Sequence, residues 1–351
     1  MLLWSIFLLG VAFGVAARLG RFCLLRGLRQ QLCLDGEVAP GQAPALQAFA
    51  LALAVALLAS QGLHALGLVD LGQAALARAR FSVLAVLTGG ILFGVGMVLA
   101  RACGARSLVL LAGGNLRALV TLVFLALGAQ LAMTGVLTPW RQWLQALAPV
   151  ALPHATLAGY LQAGVLGPAP ATLVPALLLL VYALLRPALR QSPPQLVGAL
   201  VIGLLVAAGW WITAHIGVDE FEPAKLSSLS FVGPIAESLL YLQLSVGRDM
   251  NIGLALTAGV LAGALVAGVL AGALVAALAG RTARWEGFDS TERLAASAGG
   301  GLLMGFGGVL AAGCSIGQGL TGLSTLSFAS LPAVAGIVLG ALAALAQQRQ
   351  R

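Results

Sequence analysis

Stretches of about 20 apolar residues recur along this chain, and no other feature limits its fold so severely. A bilayer core takes about 20 apolar residues per helix, and in lipid only helices and closed barrels satisfy every backbone N–H and C=O. Nine such stretches lie at roughly 2–17, 45–68, 82–100, 116–137, 171–186, 195–216, 251–279, 296–312 and 331–348. Charged residues make up only 9% of 351, against about 25% in soluble domains. The expected fold is an all-α polytopic membrane protein with about nine transmembrane helices. The first stretch has no basic region before it and reads as an uncleaved span, not a signal peptide. The segments after Cys103 and Cys314, and 231–246 with its Pro234, are too short to span and read as re-entrant half-helices.

The net charge of +8 comes from 19 Lys+Arg against 11 Asp+Glu. These cations stand singly between apolar runs without an aromatic-basic patch, so they read as topology signals and not as a nucleic-acid surface. Threading the nine spans puts 14 of the 19 on the side reached after the first span. The positive-inside rule makes that side cytoplasmic, with the N-terminus periplasmic and the C-terminus cytoplasmic in a bacterial inner membrane.

An internal repeat sharpens this plan. "GGILFGVGMVLARACG" (89–104) aligns without gaps on "GGLLMGFGGVLAAGCS" (300–315), at a constant offset of 211. Gly89, Gly90, Gly94, Gly96 and Cys103 match Gly300, Gly301, Gly305, Gly307 and Cys314. The copies fall on the third and eighth spans, so the two halves are expected to be inverted. That predicts a 4 + 1 + 4 pseudo-two-fold plan: residues 1–150, a linker with connecting helix at 151–194, and an inverted second repeat at 195–351. Transporters built this way bind substrate near the midplane, at broken helices.

Both matched cysteines lie where a Gly-rich helix breaks. The N-terminus of a following half-helix offers unpaired N–H groups and a positive dipole end, which suits an anion. Ser315 and Gln318 follow Cys314; Arg106, Ser107 and Asn115 follow Cys103. An uncompensated charge at the bilayer centre costs at least about 2.5–3.5 kcal/mol, so Arg101 and Arg106 need water, a partner or a ligand. A neutral thiol is a weak donor that does not repel an anion, and it fits a soft sulfur oxyanion better than phosphate or chloride. Cys23 sits among Arg21, Arg26 and Arg29. Four cysteines without CxxC or a His/Cys cluster give no expectation of a zinc or iron–sulfur site. No cofactor and no catalytic residue is assigned.

The GxxxGxGxxLAxxC element of both copies, with "RACGARSLVLLAGGNLRALV" and "RFCLLRGLRQ", resembles the YeeE/YedE family of membrane proteins, whose members take up thiosulfate. The resemblance implies an hourglass-shaped inverted-repeat transporter, in which three cysteines hand thiosulfate on by S–H···S and related hydrogen bonds. By motif these are Cys23, Cys103 and Cys314; Cys33 matches no family motif. Ala102 stands before Cys103 where the family favours glycine, as at Gly313 before Cys314. Some relatives carry an appended sulfurtransferase domain, which implies a separate cytoplasmic sulfurtransferase as partner for a chain ending "AQQRQR". Three other readings stay open, the first two being a transporter of selenium or other sulfur compounds and a membrane thiol oxidoreductase. A non-transporting assembly subunit is the third.

Overall fold

A computed structural model describes residues 1–36, 38–39, 41–162, 169–216, 225–247, 249–279 and 290–350. Arg248, Arg281, Arg284 and Arg351, counted among the topology signals, lie outside them. The chain is helical nearly throughout: α1 (Leu2–Leu19), α2 (Leu24–Gln31), α3 (Pro44–Ala65), α4 (Val83–Leu99), α5 (Gly104–Leu111), α6 (Leu116–Met133), α7 (Thr138–Ala146), α8 (Leu157–Gln162) and α9 (Ala169–Leu185). Then come α10 (Pro187–Arg190), α11 (Pro193–His215), α12 (Val232–Gln243), α13 (Ile252–Ala279), α14 (Thr291–Leu310) and α15 (Ser330–Gln350). Strands β1 (Arg80–Ser82) and β2 (Pro149–Ala151) form one short antiparallel ladder, with Arg80 opposite Ala151.

Among the described residues, eight helices are long and apolar enough to cross a membrane; α1 and α4 count there together with the short α2 and α5 that follow them. The ninth expected span is α9, whose 17 residues fall short of that length and carry Pro175 inside the helix. Local signals start several helices. Ser82 Oγ accepts the Ala85 N–H at 3.1 Å before α4, and prolines open α3 and α11, where a missing N–H leaves no helical bond unmade.

Lipid tails are as apolar as leucine, so helices in a bilayer associate through close packing of small residues. The repeat glycines do this here. A Cβ on Gly89 would lie 2.8 Å from the Gly307 carbonyl, and one on Gly96 would lie 2.6 Å from the Gly300 carbonyl. Residue numbers rise along α4 as they fall along α14, so the two helices run antiparallel. The outer glycines make crossed contacts. Gly90 and Gly94 rest on Ala333 and Ile337 of α15, while Gly301 and Gly305 rest on Thr121 and Leu125 of α6. Gly10 and Gly14 of α1 meet Leu256 and Val260 of α13 in the same way. Phe13, Phe93, Met97, Trp210, Phe231 and Met304 fill the centre and are all but fully buried.

Candidate functional site

Three cysteines occupy the same kind of chain break. α1 ends at Leu19 and Arg21 turns left-handed at φ 47°; α4 ends at Leu99 and Arg101 does so at 57°; α14 ends at Leu310 and Ala312 does so at 58°. In each case the cysteine stands two residues further on. This stop conformation normally falls to glycine, because a Cβ there costs about 1–2 kcal/mol. The stops are closed by backbone bonds: Phe22 N–H to Ala17 O at 3.1 Å, Arg101 N–H to Val98 O at 3.2 Å, and Gly313 N–H to Gly308 O at 2.7 Å.

Beyond each break the chain starts a new helical turn. Cys23 and Cys103 are the N-cap residues of α2 and α5, each eight residues long, and neither side chain caps its helix. After Cys314 the expected half-helix is replaced by a π-helical turn, Gly317–Gly322. There the Gly317 N–H points at the Cys314 sulfur, 3.3 Å away.

The breaks converge. The Cys23 and Cys103 thiols face each other within hydrogen-bonding reach, and Ser315 Oγ lies beside Cys103. All three thiols are buried, with 7%, 3% and 1% of their surface exposed for Cys23, Cys103 and Cys314. A void of about 10 Å³ remains between Cys23, Cys103, Arg106, Phe13 and Ile316, barely the space one water needs. The buried hydroxyl of Ser107 has no hydrogen-bond partner among the described residues, and that of Ser315 has only the Cys103 thiol beside it. Gln318 Nε2 donates to the Ala311 and Ala312 carbonyls at 2.8 and 3.2 Å and so braces the end of α14, while its Oε1 is left unpaired.

Two cavities approach this closed neck. One, of about 290 Å³, is walled by Arg21, Arg26, Arg29, Arg101 and Arg106, with Cys23 and Asp35 also in its wall. Arg26 Nε lies 3.6 Å from an Asp35 carboxylate oxygen. The other, of about 300 Å³, reaches Gly313 and Ser230 and carries Arg78 and Arg141. The first lies at the C-terminal end of α4 and the second at the C-terminal end of α14. Those helices are antiparallel, so the cavities open at opposite ends of the bundle.

Of the residues singled out in the sequence, Cys23, Cys103, Arg106 and Ser315 come together at the neck, and Arg101 joins them in the first cavity wall. Ser107 and Gln318 hold matching places, four residues after Cys103 and Cys314. Asn115 stands apart from both cavities. Its Oδ1 accepts the Arg117 and Ala118 N–H groups at 3.1 and 3.3 Å and caps α6. Exposed Cys33 ends α2 in the left-handed conformation, at φ 56°. Sequence reasoning missed Arg78, Arg141 and Ser230, although two arginines on the cation-poor face were a signal. It also missed Arg18, whose Nη1 donates to Val109 O at 3.3 Å in a slot where a Cβ on Gly113 or Gly268 would lie 2.7 Å from the guanidinium.

Comparison with known proteins follows the same lines. The family model described as "Sulphur transport" matches residues 19–343. The chain is 25% identical to the thiosulfate transporter TsuA of Escherichia coli (strain K12) over 94% of its own length and 90% of the relative's. It is 27% identical to the thiosulfate transporter TsuA of Spirochaeta thermophila over 97% of both chains.

Proposed function

The chain belongs to this sulphur transport family, and from that premise we propose that it imports thiosulfate, or a close sulfur oxyanion, along the line Cys314, Cys103, Cys23. The observation that carries the reading is the neck itself. Two facing thiols and a buried serine hydroxyl beside them stand between two arginine-bearing cavities that open at opposite ends of the bundle. Neutral thiols donate weakly to the anion without repelling it. The N–H groups at the start of α2 and α5 add positive potential at two of the three sulfurs.

In this reading the cavity at Cys23 faces the cytoplasm of a bacterial inner membrane, the N-terminus is periplasmic and the C-terminus cytoplasmic. Residues 1–150 and 195–351 act as inverted halves about 151–194, and the protein carries its substrate without chemical change. A negative-inside potential opposes a dianion by about 2.3 kcal/mol per charge per 100 mV. Inward flow therefore needs ion coupling or rapid consumption, and a separate cytoplasmic sulfurtransferase supplies the latter.

The test is uptake of radiolabelled thiosulfate into cells lacking other sulfur importers, with wild type and Cys314→Ala at matched membrane levels. We expect uptake in the wild type that falls at least about tenfold in the variant. No uptake by well-expressed wild type sinks the assignment, and competition by selenite or sulfite redirects it to those anions. The facing Cys23 and Cys103 thiols support a second reading, thiol–disulfide exchange; a mixed disulfide trapped on either cysteine during turnover would establish it.

A further inference from the structure

The cavity at the Gly313 end holds an arginine pair that the cysteine path does not use. Four separate stretches of chain build it. The β1–β2 ladder ties the segment before β1 to the segment after α7, with Leu152 N–H donating to the Ala79 carbonyl at 2.8 Å. That tie holds Arg78 and the α7 residue Arg141 on one cavity. Arg141 is fixed in place: its Nε donates to Ala132 O at 2.9 Å and its Nη1 to Gln145 Oε1 at 3.3 Å. Arg78 makes no hydrogen bond or ion pair with a described residue. Desolvation, and then the charge of Arg141, lower its pKa from the ordinary arginine value.

Two like charges that share a cavity without a carboxylate among its described lining residues repel each other. An anion between them removes that repulsion. The rest of the lining suits an oxyanion. Val232 and Gly233, in the first turn of the twelve-residue α12, border the cavity, and α12 has no side-chain cap. Ser230 also lines it and stands next to the cysteine neck, with its Oγ 2.9 Å from where a Cβ on Gly317 would be. A guanidinium presents planar, paired donors that match an oxyanion's edge, and chloride has no such edge.

We propose that Arg78 and Arg141 form a capture site for a doubly charged oxyanion, which selects the ion before it reaches Cys314. The direction of travel rests on the import reading above; the anion site does not. It predicts a division of labour in which the arginines set apparent affinity and the thiols set the maximal rate.

Two measurements test it. In the first, purified full-length protein is treated with phenylglyoxal, and Arg78 adducts are followed by mass spectrometry with thiosulfate, sulfate, chloride or no added salt at matched ionic strength. Thiosulfate and sulfate should slow Arg78 modification several-fold and chloride should not. In the second, initial uptake rates are measured for Arg78→Gln, Arg78→Lys and Arg141→Gln. Each glutamine variant should raise KM about tenfold with Vmax within about twofold of wild type, and Arg78→Lys should recover part of the affinity. Arg78 is the cleaner position, because it holds no structural hydrogen bond. Equal modification rates with and without thiosulfate, together with an unchanged KM in Arg78→Gln, overturn the site. Protection of Arg78 in a wild type that takes up no thiosulfate leaves the site standing and removes the import reading instead.

Discussion

Cys103 and Cys314 follow matching glycine helices, and both are preceded by a left-handed residue, yet their surroundings diverge beyond the sulfur. After Cys103 comes a regular α-helix that carries Arg106, with Arg101 at the left-handed position. After Cys314 comes a π-helical turn, with Gly317 where Arg106 stands and Ala312 where Arg101 stands. One break brings its own positive charge. The other brings backbone N–H groups and an amide brace, and the charge near it comes from Arg78 and Arg141 on distant elements. Identical local geometry therefore does not fix local electrostatics. The fold reproduces the break, while each end of the bundle is charged by its own means.

The widest break in this comparison comes from erasing the charge. Arg106→Gly makes the Cys103 break resemble the Cys314 break. A charge-assisted hydrogen bond is worth about 1.5–3 kcal/mol, so KM for thiosulfate uptake should rise about ten- to a hundredfold, read from initial rates at matched membrane levels. Next is the amide brace. Gln318→Ala leaves the Ala311 and Ala312 carbonyls without their side-chain donor, and thermal unfolding in detergent should show a loss of about 1–3 kcal/mol. The matching Ser107→Ala removes a hydroxyl that has no partner and should cost far less, which sharpens the contrast. The smallest effect is at the stop itself. Ala312→Gly relieves a Cβ from the left-handed conformation and should stabilise the protein by about 1 kcal/mol, seen as a raised melting temperature with uptake unchanged.

The helices were legible because a bilayer demands apolar length, and length is written directly in the sequence. Helix neighbours were not. The apolar stretches carry no polar face, since lipid and protein interior ask for the same side chains, so only glycine spacing hinted at contacts. The glycine repeat located Cys103 and Cys314 at breaks, but nothing in the order of residues said that Cys23 would meet Cys103. Asn115 looked like a polar group available to a ligand; an asparagine ahead of an apolar run is equally a helix cap, and the cap is what the structure shows. Arg78 and Arg141 are 63 residues apart in sequence, and only the short β ladder makes them neighbours. Ala312 escaped notice because the stop rule looks for glycine, and here the helices before Cys23, Cys103 and Cys314 all stop on residues with a Cβ.

The crossed glycine seams bear on how turnover can proceed. α4 is clasped between α14 and α15, and α14 between α4 and α6, each through main chain set against main chain. Tilting one of these helices past its neighbour would drive Cβ atoms and carbonyls into each other along several turns at once. The neck is closed by single thiols, one hydroxyl and the Phe13 ring, groups that swing about one or two bonds. The helix frame is therefore tightly clasped, and the neck is the part that rotation of single side chains can open.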